Sequence, residues 1–132
     1  KIVEVSQNLF EDGHYANAAE DAFVEINDRV KKLFMKLNPT ATKVPDGQAV
    51  MNTVFSDNGP LLEFCDRSTE TGNNIQKGYM QMLAGAMSAL RNPKAHANIT
   101  ITKDDAMRRL MFASMLMYKI DEAVSYSKIQ EG

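Results

Sequence analysis

Two long stretches of this chain carry apolar residues at three- and four-residue steps, and each predicts an amphipathic helix. In the first, opening at His14, the residues Tyr15, Ala18, Ala19, Ala22, Phe23, Ile26, Val30, Leu33, Phe34 and Leu37 form one continuous stripe. Glu20, Asp21, Glu25, Asp28, Arg29 and Lys32 fall mostly on the other faces. The acids lead and the bases Lys31, Lys32 and Lys36 follow, the order that the helix dipole favours. Asn38-Pro39 stops the helix. In the second stretch, Ala106, Leu110, Ala113, Met117, Ile120 and Val124 recur at a heptad-like spacing. Thr102, with Asp104 and Asp105 behind it, reads as its N-cap. Met107, Met111, Ser114 and Tyr118 widen the stripe beyond what one seam needs, so part of it is expected to face a second protomer. Residues 127–132 read as a frayed end.

A third helix is expected from about Asn73 to Leu90, on Ile75, Tyr79, Met82, Ala86 and then Ala89 or Leu90. Gly78 and Gly85 lie one heptad apart on it. A glycine inside a helix costs roughly 0.5–1 kcal/mol against alanine. Two of them imply close approach of another backbone: a neighbouring helix, a dimer seam or a substrate. Ile2 to Phe10 reads as a short first helix ended by Asp12-Gly13. Between residues 40 and 71 the pattern weakens. Asp46-Gly47 marks a turn, Gln48 to Phe55 is a candidate short helix, and Asp57-Asn58-Gly59-Pro60 is a loop. This region is expected to be an excursion covering the bundle, with short helical or hairpin pieces, and Leu61, Leu62 and Phe64 need burial there. The fold class that follows is all-α, an antiparallel helical bundle of about four main helices.

The 132 residues suit one domain, long enough to bury a core without staples. The chain begins at Lys1 rather than Met, which leads us to expect a C-terminal domain of a longer protein. Nine methionines and no tryptophan suit a helical core. The net charge of −2 argues against coating nucleic acid by bulk electrostatics, so any such contact needs a local basic patch. Cys65 is the single cysteine, which excludes an intrachain disulfide and a zinc spacing and reads as a buried small hydrophobe. That usage, with no signal peptide and no apolar run long enough to span a bilayer, predicts a cytoplasmic protein with no membrane partner.

Candidate chemistry gathers in Leu90-Arg91-Asn92-Pro93-Lys94-Ala95-His96. Pro93 disfavours a helical Asn92 and removes a backbone donor, so the chain must turn out of the helix there. Arg91 is thereby set at the last turn, and His96 follows close enough to share a pocket with it. Arginine offers a permanent bidentate fork for phosphate, and histidine moves protons near neutral pH. Asn92 can orient a ribose hydroxyl or fix the histidine tautomer. Such a set suits RNA cleavage by attack of the 2′-hydroxyl on the adjacent phosphate, a route that needs no metal or other cofactor. The bland alternative is a helix cap beside a surface histidine.

The signature Arg91-Asn92-x-x-x-His96 resembles the Arg-(Asn/His/Asp)-x(n)-His motif of the HEPN superfamily of helical-bundle proteins. The agreement extends to Leu9-Phe10-Glu11-Asp12-Gly13-His14-Tyr15, Ala18-Ala19, Asp46-Gly47-Gln48, Phe55-Ser56, Gly78 and Gly85-Ala86. This string of blocks is similar to the Ymh branch, a set of Abi-like proteins of prokaryotes, phages and mobile elements. The resemblance implies a homodimer whose Arg/His motifs face one composite cleft. It implies metal-independent endoribonuclease activity in toxin–antitoxin or abortive-infection defence, with an antitoxin or regulatory domain as a further partner. His96 would be the acid/base, Arg91 the phosphate and transition-state clamp, and Asn92 the polar helper. Lys94, Lys103 and Arg108 are candidate substrate contacts. Catalytically silent members of the superfamily serve as binding or dimerisation modules, which is the alternative reading.

The remaining polar residues divide between the two readings. His14 is expected to be structural, and Glu20, Asp21 and Glu25 either approach the motif or sit as solvated carboxylates. Tyr79, Tyr118 and Tyr126 can stack a base, although Tyr79 and Tyr118 are better explained as bundle packing.

Overall fold

The computed structural model describes residues 15–91 and 102–132. Among them are four α-helices and no strand: α1 (Tyr15–Leu37), α2 (Gln48–Val54), α3 (Glu70–Ala86) and α4 (Lys103–Tyr126). The chain therefore forms the all-helical bundle that its periodicity predicts. The expected helix over Ile2–Phe10 lies outside the described residues, as do His14, Asn92, Lys94 and His96.

The stripe of α1 is the spine of the core. Ala18, Ala19, Ala22, Phe23, Ile26, Val30, Leu33 and Phe34 are all buried. They pack most extensively on α4, where Ala113, Leu116, Ile120 and Ala123 point inward and Phe112 meets Phe23 at 6.3 Å between ring centroids. Burying a large apolar side chain contributes about 1.5–3 kcal/mol, so this pairing supplies much of the driving force. The Thr102 hydroxyl accepts a hydrogen bond from the Asp105 N–H at 3.1 Å, the N-cap that the sequence predicts.

The segment between α1 and α3 supplies core rather than merely covering it. Val50, Met51, Val54, Phe55, Leu62 and Phe64 are all buried. Their irregular backbone is fastened by Gln76 of α3, a fully buried amide. Its Oε1 accepts from the Phe64 N–H at 3.0 Å, and its Nε2 donates to the carbonyls of Phe55 (3.1 Å) and Leu62 (3.0 Å). One side chain thus satisfies three buried backbone groups, each costing about 1–3 kcal/mol if left unpaired. Phe64 is also sandwiched between Phe55 and Tyr79, with Lys119 4.6 Å from the centre of the Tyr79 ring. Cys65 is only half-buried and its thiol faces the Gly72 carbonyl, so it does not belong to the core as expected.

Two further expectations are corrected. Gly78 and Gly85 have no described atom within 4 Å of where a side chain would begin, so no described helix presses on them. Residues 127–132 are not frayed. The Ile129 N–H donates to the Val124 carbonyl (3.1 Å) and the Lys128 N–H to the Ser125 carbonyl (3.2 Å), with Lys128 left-handed at φ 57°. This is a Schellman motif built without glycine. It turns the tail back so that Glu131 reaches Arg29 of α1.

The helix that delivers Arg91 does not stay α-helical. Beyond Ala86 it widens into a π-helical segment, Met87–Arg91, with Met87 buried. The segment packs on α1 and α3. Among the described residues, no helix is long and apolar enough to cross a membrane.

Candidate functional site

Arg91, in the π-helical segment, lies against the start of α2. Its Nη1 stands 3.6 Å from Oδ2 of Asp46. Its Nη2 lies over Gly47, close enough that a Cβ at Gly47 would come within 2.8 Å of it. Gly47 also has φ 60°, a conformation strained for any residue with a Cβ. Glycine is therefore needed at this position twice, once for its own turn and once for its neighbour.

Asp46 and Gly47 are in turn held by Asn27 of α1, which is 3% exposed. The Asn27 amide donates to Asp46 Oδ1 at 2.8 Å, and its carbonyl oxygen accepts from the Gly47 N–H at 3.0 Å. One helical turn on, Lys31 brings its Nζ to 3.6 Å from the same Oδ1. The hydrogen bond from Asn27 is the main cause that holds the Asp46 carboxyl below its ordinary range. The charges of Arg91 and Lys31 and the Gly47 N–H act in the same direction, and desolvation opposes them. The neighbouring Gln48 accepts a hydrogen bond from Ser88 Oγ at 3.2 Å, tying α2 to the π-helical segment a second time.

The cluster has two cations on one carboxylate, a net positive charge. Neither cation is within strong hydrogen-bonding distance of Asp46, so most of the Arg91 donors are uncommitted among the described residues. Its Nε is buried without a hydrogen-bond partner among the described residues. Chemically this is a part-open, preoriented guanidinium beside a lysine, suited to an oxyanion such as phosphate.

The chain belongs to the Hypoth_Ymh family. The match runs over residues 1–120, and the family is described as proteins of unknown function. Neither a curated protein nor a solved structure matches the chain. Asp46-Gly47-Gln48 and Arg91, which the sequence singles out far apart along the chain, meet at one place.

Of the sequence-predicted site residues, Arg91, Lys103 and Arg108 are described. Lys103 opens α4, and Arg108 turns its guanidinium to Asp105 at 2.8 Å, one turn back on its own helix. Tyr79 packs in the bundle as expected, whereas Tyr118 is 62% exposed and is not bundle packing. Glu20, Asp21 and Glu25 are half-buried on α1. Sequence reasoning missed Asn27 and Lys31. The signal for Asn27 was present: it stands four residues after Phe23 and one after Ile26, a polar residue inside an apolar stripe.

A second cleft, about 590 Å³, is lined by Glu25, Asp28, Arg29, Lys32, Met117, Asp121 and Glu131. Its central cation is already engaged. Arg29 Nε and Nη2 donate to the two oxygens of Glu131 at 3.0 and 2.7 Å, and Nη1 donates to Asp121 at 2.6 Å. This cleft is a clamp between α1, α4 and the tail.

Proposed function

We propose that this domain is a metal-independent endoribonuclease. His96 moves the protons, Arg91 holds the phosphate, and Asn92 assists as a polar helper. The reaction is attack of a ribose 2′-oxygen on the adjacent phosphorus, with departure of the 5′-oxygen. It leaves a 2′,3′-cyclic phosphate on one product and a 5′-hydroxyl on the other. A proton must leave the 2′-hydroxyl and another must reach the 5′-oxygen, and an imidazole serves either transfer near neutral pH. The charge developing on the phosphate oxygens calls for a fixed cation, the role proposed for Arg91.

The observation that carries this reading is the preparation of Arg91. The nearest described carboxylate to the Arg91 guanidinium, Asp46 at 3.6 Å, is itself braced by buried Asn27, and Gly47 leaves room for the guanidinium. Preorganisation of that kind is what transition-state stabilisation requires and an ordinary helix cap does not. The resemblance to HEPN nucleases supplies the setting we favour, phage defence or a toxin–antitoxin pair.

A homodimer with a composite cleft is part of the proposal. On α4, Met107, Met111, Met115 and Tyr118 follow one another at four- and three-residue steps, and all four are exposed. Gly78 and Gly85 of α3 are likewise uncovered by described atoms. A row of large apolar side chains on one helix face favours a partner. This same row favours the second reading, a catalytically silent dimerisation or binding module.

The deciding experiment is RNA cleavage by purified protein in EDTA, wild type beside His96→Ala, with the product ends analysed. Cleavage that survives EDTA, leaves 2′,3′-cyclic ends and falls by several orders of magnitude in the variant supports the ribonuclease. Equal behaviour of the two proteins across several RNA pools overturns it in favour of the binding module.

A further inference from the structure

We propose that Lys31 is a second RNA-backbone contact, paired with Arg91, and that Asp46 is the positioning residue that sets the two cations side by side. The proposal rests on the ribonuclease reading of Arg91 and names a substrate contact that the Arg/His motif does not contain.

The geometry carries it. Lys31 comes from α1 and Arg91 from the π-helical segment, yet they meet opposite oxygens of one carboxylate, Oδ1 and Oδ2, each at 3.6 Å. Salt bridges that serve stability close to hydrogen-bonding distance, as Arg29 does with Asp121 at 2.6 Å in the same protein. The Asp46 pairs stop well short of that. The short bond of Asp46 goes instead to Asn27, at 2.8 Å and buried. Asp46 is thus fixed from below while its cations stay loosely held above, and both cations are partly open to solvent.

Two cations sharing one carboxylate leave a positive charge on a surface whose whole chain is net negative. That is the local basic patch which RNA contact demands here. A phosphodiester oxygen can take the Arg91 donors that no described residue takes, while Lys31, a compact point charge, meets the same or the next phosphate. Asp46 keeps the guanidinium oriented without satisfying it.

The test separates this proposal from the reading beneath it. Binding of a mixed-sequence single-stranded RNA is measured by fluorescence anisotropy over a series of KCl concentrations, with every variant in a His96→Ala background so that cleavage does not intervene. Lys31→Gln is expected to lower the slope of log affinity against log salt by about 0.7, the loss of one phosphate contact on a single strand, and Arg91→Gln by a similar amount. Lys32→Gln, next along α1 but exposed and lining the Arg29 cleft, leaves the slope unchanged. Asp46→Asn keeps or raises affinity in the same background, because a negative charge is removed, while with His96 intact its kcat falls at least tenfold.

If Arg91→Gln lowers the slope and Lys31→Gln does not, the contact assigned to Lys31 is overturned and the Arg91 reading stands. If neither moves the slope, the phosphate-clamp reading of Arg91 falls with it. If Asp46→Asn leaves both KM and kcat unchanged, the positioning role is overturned.

Discussion

The Asn27 side chain joins two residues that are adjacent in sequence by both of its polar atoms, Nδ2 to Asp46 Oδ1 at 2.8 Å and Oδ1 from the Gly47 N–H at 3.0 Å. At 3% exposure neither partner can be replaced by bulk water. Asn27→Leu keeps comparable volume but leaves the Gly47 N–H unpaired, which costs about 1–3 kcal/mol, and frees Asp46 from its brace. Urea denaturation should report a loss of that order. RNA cleavage should fall as well, even at temperatures where the variant is fully folded. Stability lost with cleavage retained would reduce Asn27 to a structural residue.

Gly47→Ala tests the room left for Arg91. At φ 60° and ψ −129° the Gly47 backbone lies outside even the left-handed helical region and costs on the order of 1–3 kcal/mol for a residue with a Cβ. That Cβ would press to 2.8 Å from Nη2 of Arg91. The far end of an arginine is flexible, so the guanidinium should yield rather than the fold. The expected outcome is a modest drop in melting temperature with a disproportionate loss of cleavage. Gly78→Ala, where no described atom lies within 4 Å, is the reference substitution and should raise helix stability by up to about 1 kcal/mol in a monomer.

The exposed row on α4 predicts self-association. Met111 is 66% exposed at its centre, and Met111→Asp places a charge there without touching the core. Light scattering on the wild type at tens of micromolar should give a dimer, and the variant should shift toward monomer with its helical circular dichroism intact. A wild type that is monomeric throughout this range removes the composite cleft.

What could be read from the sequence follows from what each element depends on. The stripe of α1 and the Thr102 cap of α4 are specified locally and were legible, whereas Leu116 and Ala123, both buried on α4, lie outside the stripe that its spacing suggests. The core contribution of residues 48–64 was not, because it depends on Gln76, whose three bonds reach across the chain and leave no periodic trace. At the site, the π-helical widening over Met87–Arg91 and the meeting of Arg91 with Asp46 are products of packing between distant segments, which no local pattern announces. The ordered tail was hidden for a similar reason, since its left-handed turn uses a lysine where glycine would have signalled it.

That lysine gives a stability prediction of its own. Lys128 at φ 57° bears the steric cost of a left-handed Cβ, and its bonds to the motif are made by backbone alone. Lys128→Gly should relieve the strain while keeping the bonds from Lys128 to Ser125 and from Ile129 to Val124. Part of the gain is offset by the greater freedom of glycine in the unfolded chain. A net stabilisation of about 0.5–1 kcal/mol is expected, read from chemical denaturation. A destabilisation would mean that the lysine side chain itself contributes to the tail.

The tail also predicts how stability should depend on pH. The Arg29 hydrogen bond is the main cause that lowers the Glu131 carboxyl below its ordinary value of 4.5, with the Arg29 and Lys36 charges adding to it and desolvation opposing. A carboxyl whose folded value is depressed stabilises the fold fully above its unfolded value, and that contribution is lost as pH falls through the folded one. Wild-type protein should therefore exceed Glu131→Gln in stability at neutral pH, and the difference should close as pH drops below 4.5. High salt should narrow the same gap at neutral pH, because the pair is partly exposed. Parallel melting curves for the two proteins across this range would show Glu131 to be a bystander and leave Asp121 as the effective partner of Arg29.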